Sequence, residues 1–544
     1  MAFKRLTPMQ LEEKIEGPEE LALLDLREAG QLVLKRLFRA APMPLWRLET
    51  LIGAGVPRRE TPVVLADLDG SLVLSGAEKL SRLGYQDVSI LEGGTLAWEK
   101  AGYEVFIDQN LPSKAFGEFI DQKLSPPSVT APELARMIRE GRDLVILDGR
   151  TKEEFLNFSL PGAYNVPNGE LALRAPAYAP GKDTLIVVNC AGRTRSIIGC
   201  QTLINAGLPN QVRALQNGTL GWLLSGEKLE VGSSPAKIAR TRLREPLAES
   251  LGPIRERLRR WLEKSGARLI GDDEFKSLQS RKGKTLYLFD PRAEEEYAGG
   301  HLPGFRLAPG GQLVQATDRY APVLRASIVI ADFDSVRALA AAAWLAQAGA
   351  HEVFVYPASS AKALAAGLES SLVLLDPAAP WPKAVSPEKA AELQARGAEI
   401  YDVDNSVSWF LSRVENSKFC APPSLPQVLK ARKDPLPAVL TSKDGILART
   451  VAASLGREGL EAVSVLGGTG AWIKMGLKPQ RGPGEILSGE DDIRRSACEY
   501  GQGLIREHSG ANEKDFENYL AWEVNLPEQI GKPGAKASFR AVTP

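Results

Sequence analysis

Short apolar runs that end in Asp or run into a polar loop recur along this chain, and stretches of helical spacing separate them. Leu144 to Asp148, Leu185 to Val188 and Val212 to Leu215 are three such runs in close succession. Their apolar residues are continuous rather than alternating, the mark of strands in a parallel sheet covered on both faces. Pro161-Gly162 marks a turn between the first two. Ser196 to Ala206, closed by Gly207, reads as a helix. Thr7-Pro8, Thr130-Ala131-Pro132 and Ser386-Pro387 each open a further helix, and Thr7/Gln10 and Thr130/Glu133 have capping-box spacing. The pattern predicts an α/β protein.

The pattern also repeats. At one fixed offset, Asp25, Arg27, Pro44, Asp67 and Gly84 recur as Asp148, Arg150, Pro167, Cys190 and Gly207. At a second offset, Asp148, Arg150, Glu154, Pro161, Cys190 and Gly207 recur as Asp290, Arg292, Glu296, Pro303, Asp332 and Gly349. A looser copy runs through Asp402, Ser442, Gly459 and Gly467-Gly468. A length of 544 residues is too great for one core and suits four small modules. We expect modules at 1–110, 126–232, 266–374 and 384–480, a helical linker at 233–265, and a C-terminal tail at 481–544 that wraps a neighbouring module. In the linker the apolar positions from Leu243 to Leu262 follow helical spacing, with Arg255, Arg257, Arg259 and Arg260 between them. This predicts an amphipathic connector that packs two halves together, in preference to a nucleic-acid-binding arm.

Composition narrows the class. Lys+Arg and Asp+Glu both number 67, which argues against a protein that coats nucleic acid through excess basic charge. Four cysteines are too few for a disulfide scaffold, and three scattered histidines argue against a His-rich metal site. The apolar run from Ala338 to Ala348 is too short to span a bilayer, and the first residues lack a signal-peptide core. The expectation is a cytoplasmic protein with neither nucleic acid nor membrane as partner, no metal and no cofactor; its oligomeric state stays open.

One loop holds a thiol in a reactive setting. Cys190 stands between a strand end and a helix N-terminus, where unpaired N–H groups and the helix dipole favour a thiolate. Arg193 and Arg195 add positive charge for an anionic substrate, and Gly192 lets the loop curl. Cys200, one helix-length of ~15 Å further on, is too far to act as a resolving partner and reads as core, while Cys420 and Cys498 have no ligand-spaced companions. Asp148 and Arg150 recur in modules without a thiol, which predicts a structural ion pair. His301 reads as a turn-stabilising residue.

The stretches Asp148-x-Arg150-x-x-x-Glu154-Phe155, Leu160-Pro161-Gly162-Ala163, Cys190-Ala191-Gly192-Arg193-Thr194-Arg195-Ser196 and Asn217-Gly218-x-x-x-Trp222 resemble the rhodanese-type sulfurtransferases, in a form with four tandem rhodanese-like modules. The resemblance implies a Cys190 persulfide. Its sulfur would come from thiosulfate or a similar small anionic donor and pass to cyanide, a small thiol or a protein thiol. It also implies that Arg195 and Arg193 orient the donor and that the backbone from Ala191 through Gly192 and Thr194 to Ser196 cradles the sulfur. Asp67, Asp332 and Ser442 at the cysteine position make the other modules inactive. A cysteine-dependent phosphatase needs Cys-x₅-Arg, and here Arg195 is already the fifth residue after Cys190, so the loop is one residue short and phosphatase chemistry stands as the lesser alternative. A non-enzymatic sulfur relay or binding scaffold is the alternative from another class, favoured by the excess of modules without a thiol.

Overall fold

A computed structural model describes residues 3–358, 364–368, 383–433, 436–488 and 513–544. Four mainly parallel sheets flanked by helices follow one another, and the strand order is the same in each. In the second module it runs Ser128–Val129, Val212–Leu215, Leu185–Asn189, Leu144–Asp148, Tyr164–Asn165. All these neighbours are parallel, with Asn189 level with Asp148. The apolar runs therefore occupy the middle of each sheet, where both faces are covered, and their carboxyl ends carry the loops. Thr7, Thr130 and Ser386 cap their helices through the side-chain oxygen, the first two in reciprocal capping boxes.

The modules are not beads on a string. Val323–Leu324, from the third module's stretch of chain, pairs antiparallel with Leu21–Asp25 and becomes an edge strand of the first module's sheet. Thr285 donates N–H to Glu20 at 2.7 Å, and the Tyr287 hydroxyl donates to Gly55 O at 2.5 Å. A single apolar cluster runs through the first three modules and includes Leu24, Ile198, Trp261, Ile328 and Trp344. Module four keeps its own core around Tyr401, Leu440 and Val451, against which Trp46 of module one packs.

The linker differs from its expected start. Leu243 to Leu247 are not helical; the helix is Ala248–Ser265, with Pro246 just ahead of it, where the preceding residue is steered out of the helical region. It does pack two modules together: Trp261 meets Trp344 edge-on at 4.8 Å, Arg257 donates to Asn205 O at 3.4 Å and Arg255 to Asp334 O at 2.7 Å. A helix absent from the expected list, Leu111–Leu124, joins modules one and two.

Residues 482–487 remain with module four rather than the tail, since Phe419 N–H donates to Glu485 O and Leu487 N–H to Phe419 O. The described tail forms the helices Glu513–Val524 and Leu526–Ile530 and then runs extended, with Arg540 N–H on Gln347 O and the Trp261 indole on Val542 O. Among the described residues no helix is long and apolar enough to cross a membrane.

Candidate active site around Cys190

Cys190 leaves the central strand Leu185–Asn189 and enters the helix Thr194–Ala206 after three residues. Flanking strands fix the end of that strand on both sides, and the outer face of strand carboxyl ends is where open α/β sheets place ligands. The loop is held from above by the next helix, Gly218–Leu224. Thr219 donates both its N–H and its hydroxyl to Cys190 O, each at 2.9 Å, and Leu220 N–H donates to Ala191 O at 3.0 Å. Gly218 sits at φ +51°, and a Cβ there would lie 2.5 Å from both Cys190 O and Gly192 O. Only glycine allows that approach.

Beneath the loop, Asp148 and Arg150 form a fully buried two-pronged ion pair at 2.9 and 2.8 Å. Arg150 also donates to Phe158 O at 2.7 Å, and Asn189 ties its amide to Asp148 at 2.9 Å. The same pair recurs as Asp25–Arg27 and Asp290–Arg292, modules that have no thiol. It braces the end of the strand.

The thiol itself departs from expectation. Cys190 is 2% exposed, and burial pushes its thiol up; Arg195 and the hydroxyl and N–H of Ser196 pull the other way without prevailing. Desolvation of the thiolate thus opposes the lowering expected from the loop's positive end.

The two arginines are committed to carboxylates rather than free for a donor. Arg195 makes a two-pronged pair with Glu154 at 2.7 and 2.8 Å. Burial raises the Glu154 carboxyl, yet Arg195, Arg150 and Thr151 overcome this and hold it at about 2. The third module keeps the same pair, Arg337 with Glu296 at 2.6 and 2.9 Å, beside an aspartate instead of a cysteine. Arg193 reaches Glu118 at 2.7 and 2.8 Å, Asp121 at 2.8 Å and Asn217 at 3.2 Å. Burial, assisted by Glu523 and Asp121, pushes Glu118 up to about 7 against the pull of Arg193. The Thr194 hydroxyl donates to Glu523 at 2.9 Å, and the Ser196 hydroxyl donates to Arg193 O at 2.8 Å.

Glu118, Asp121 and Glu523 are therefore residues of the site that the repeats could not disclose, since they come from the joining helix and the tail. A faint signal existed: Glu118 stands inside the apolar stretch Ala115-Phe116-Gly117-Glu118-Phe119-Ile120, where a lone charge needs a partner. The tail helix also sets Phe516, Tyr519 and Leu520 against Leu220, so the tail does cover this end of the module.

The other cysteine-equivalent positions show what the loop is built to hold. Asp332 accepts from the N–H groups of Ser335 and Ala338, both at 2.7 Å, and Asp67 from those of Gly70 and Leu72. Ser442 accepts from Ala448 N–H at 3.3 Å. In modules one and three a carboxyl group thus sits in a cradle of backbone donors, and burial pushes both carboxyls up, that of Asp332 to about 8. Cys200 and Cys420 are buried free thiols, each pushed by burial up to about 12; Cys498 lies outside the described residues. The buried His301 donates its Nδ1–H to Tyr297 O at 2.9 Å and stacks on the Tyr297 ring.

Fold and loop together define a rhodanese-type protein, and the chain belongs to that family. The rhodanese-like domain model matches residues 130–225 and 272–364. Over the whole length the chain is similar to a thiosulfate sulfurtransferase from Pseudomonas aeruginosa of known structure: 35% identical, covering 99% of this chain and 100% of that one, with a TM-score of 0.87. A shorter likeness, 29% over 164 residues, joins 30% of this chain to 71% of an HTH-type transcriptional regulator from Mycobacterium tuberculosis.

Proposed function

We propose that the chain is a sulfurtransferase that carries sulfane sulfur on Cys190, with thiosulfate or a similar anion as donor. The observation that carries this reading is the loop itself: a cysteine stands where two sister modules place a side chain that accepts two backbone N–H bonds, donors that would also serve the charge of a persulfide. The similarity to a thiosulfate sulfurtransferase along nearly the whole chain supports it.

In the first half-reaction the Cys190 thiol loses its proton to solvent, and the thiolate attacks the outer sulfur of thiosulfate. The new S–S bond forms as the old one breaks, and sulfite leaves with the bonding electrons. Cyanide or a thiolate acceptor then attacks the outer persulfide sulfur, and Cys190 departs as thiolate. Two half-reactions through a covalent intermediate give ping-pong kinetics. Arg195 lowers the cost of negative charge on the sulfur and, through Glu154, holds the loop; Arg193 is a second brace.

The test is intact-mass spectrometry after incubation with thiosulfate and removal of excess donor. One added sulfur atom, released by cyanide and missing in Cys190→Ser, is expected. No added sulfur from thiosulfate, a polysulfide or mercaptopyruvate would overturn the reading and bring the non-enzymatic scaffold forward.

A further inference from the structure

A cavity of about 330 Å³ lies where module one, the approach to the strand Ser327–Ile330 and the C-terminal segment meet. None of its lining residues belongs to the Cys190 loop. Arg39, Arg325 and Lys536 reach it from three separate stretches of chain, with Glu12 and Glu16 on one wall.

The two arginines make their hydrogen bonds to backbone carbonyls. Arg39 donates to Lys536 O at 3.2 Å and lies over the Phe38 ring, and Arg325 donates to the carbonyls of Glu19 and Ile15. Among the described residues neither guanidinium forms an ion pair with a carboxylate. Burial, and then the charge of Arg325, bring the Arg39 guanidinium down to about 10, while burial lowers Arg325 against the pull of the Glu19 carboxylate. Two like charges converging on a cavity is a costly arrangement unless something negative enters it.

Arg325 is further held at φ +64°, the left-handed region that a non-glycine residue rarely adopts, with its N–H on Ala350 O at 2.8 Å. Strain of this kind persists where the surroundings impose it and is a pointer to function. On the opposite wall Glu16 is taken by Lys536 at 2.6 Å, and Glu12 accepts the Gly534 N–H at 2.9 Å. Burial pushes Glu12 up, towards its neutral form. Three cationic side chains thus face two carboxyl groups among the lining residues.

We propose that this cavity binds a small divalent oxyanion of sulfur or phosphorus, gripped by Arg39 and Arg325 with Lys536 at its edge. Guanidinium groups present paired N–H donors suited to such oxygens. Because Arg325 follows the strand Val323–Leu324 that crosses into module one's sheet, the bound anion would tie modules one and three to the tail. Binding to the folded state alone raises Tm.

The experiment is calorimetric titration of the full chain with sulfate, sulfite and phosphate at constant ionic strength set by chloride. Saturable binding of at least one of them, one per chain with Kd below about 1 mM, is expected, together with a rise in Tm. Arg39→Gln and Arg325→Gly should each weaken it at least about tenfold, while Cys190→Ser retains it. Glycine adopts φ +64° freely, so Arg325→Gly removes the guanidinium without endangering the backbone. No saturable binding by the wild type, equal binding by both arginine variants, or loss in Cys190→Ser alone would each overturn the proposal.

Discussion

At the scale of single residues, the site is governed by burial against charge. Cys190 is buried deeply enough for desolvation to win, so its thiolate fraction should still be climbing above the ordinary thiol range of about 8.5. The rate of persulfide formation from thiosulfate, measured by stopped-flow against pH, is expected to rise through that range; a plateau already reached at neutral pH would contradict the burial argument. Glu118 supplies a second test. Its folded pKa of about 7 lies above the ordinary glutamate value of 4.5, so the native state holds the extra proton between them. Its contribution to stability is present in full below pH 4.5 and is lost as pH rises through 7. Thermal denaturation of wild type and Glu118→Gln across this window should show the wild type losing ground to the variant as pH rises, by on the order of 3 kcal/mol in all. Parallel Tm curves would show that Glu118 titrates normally.

At the scale of elements, a strand, a loop and two helix starts make one unit, and Gly218 is its tightest joint. Gly218→Ala would place a methyl group on the carbonyls of Cys190 and Gly192 at a positive φ. We expect a loss of at least about 2 kcal/mol in denaturant melts and a persulfide yield well below wild type. This unit was legible in the sequence. Continuous apolar runs named the strands, capping boxes named the helix starts, and a register shared by three modules singled out Cys190 and the Asp148–Arg150 brace. The arginines were legible as residues but not as partners. Their positions suggested a donor site, whereas Glu154, Glu118 and Asp121 already neutralise them. Glu154 was visible in the repeat, but its pairing depends on how a short helix turns back over the loop. Glu118 and Glu523 come from segments outside any repeat, where no internal comparison exists to mark them.

At the scale of the whole molecule, the number of modules followed from the repeats, but their fusion did not. Pairing of Val323–Leu324 with Leu21–Asp25 joins segments about three hundred residues apart, and no local pattern encodes it. The consequence is an uneven distribution of cooperativity. Modules one to three share one apolar cluster through Trp261 and Trp344, whereas Leu440 and Val451 belong to a core confined to module four apart from Trp46. The ties from module four to module one include the contact of Arg47 with Asp404 and that of Arg457 with Glu49, ion pairs that are partly open to water and individually weak. Differential scanning calorimetry should therefore show two transitions, one for module four and one for the fused remainder. Leu440→Ala, which empties a buried position in module four, should cost about 2–5 kcal/mol and lower only the first transition. Trp261→Ala, at the meeting of the linker helix with module three, should lower only the second. If both substitutions moved a single shared transition, the four modules would be one cooperative unit, and module four's contacts with module one would have to carry far more energy than their exposure allows.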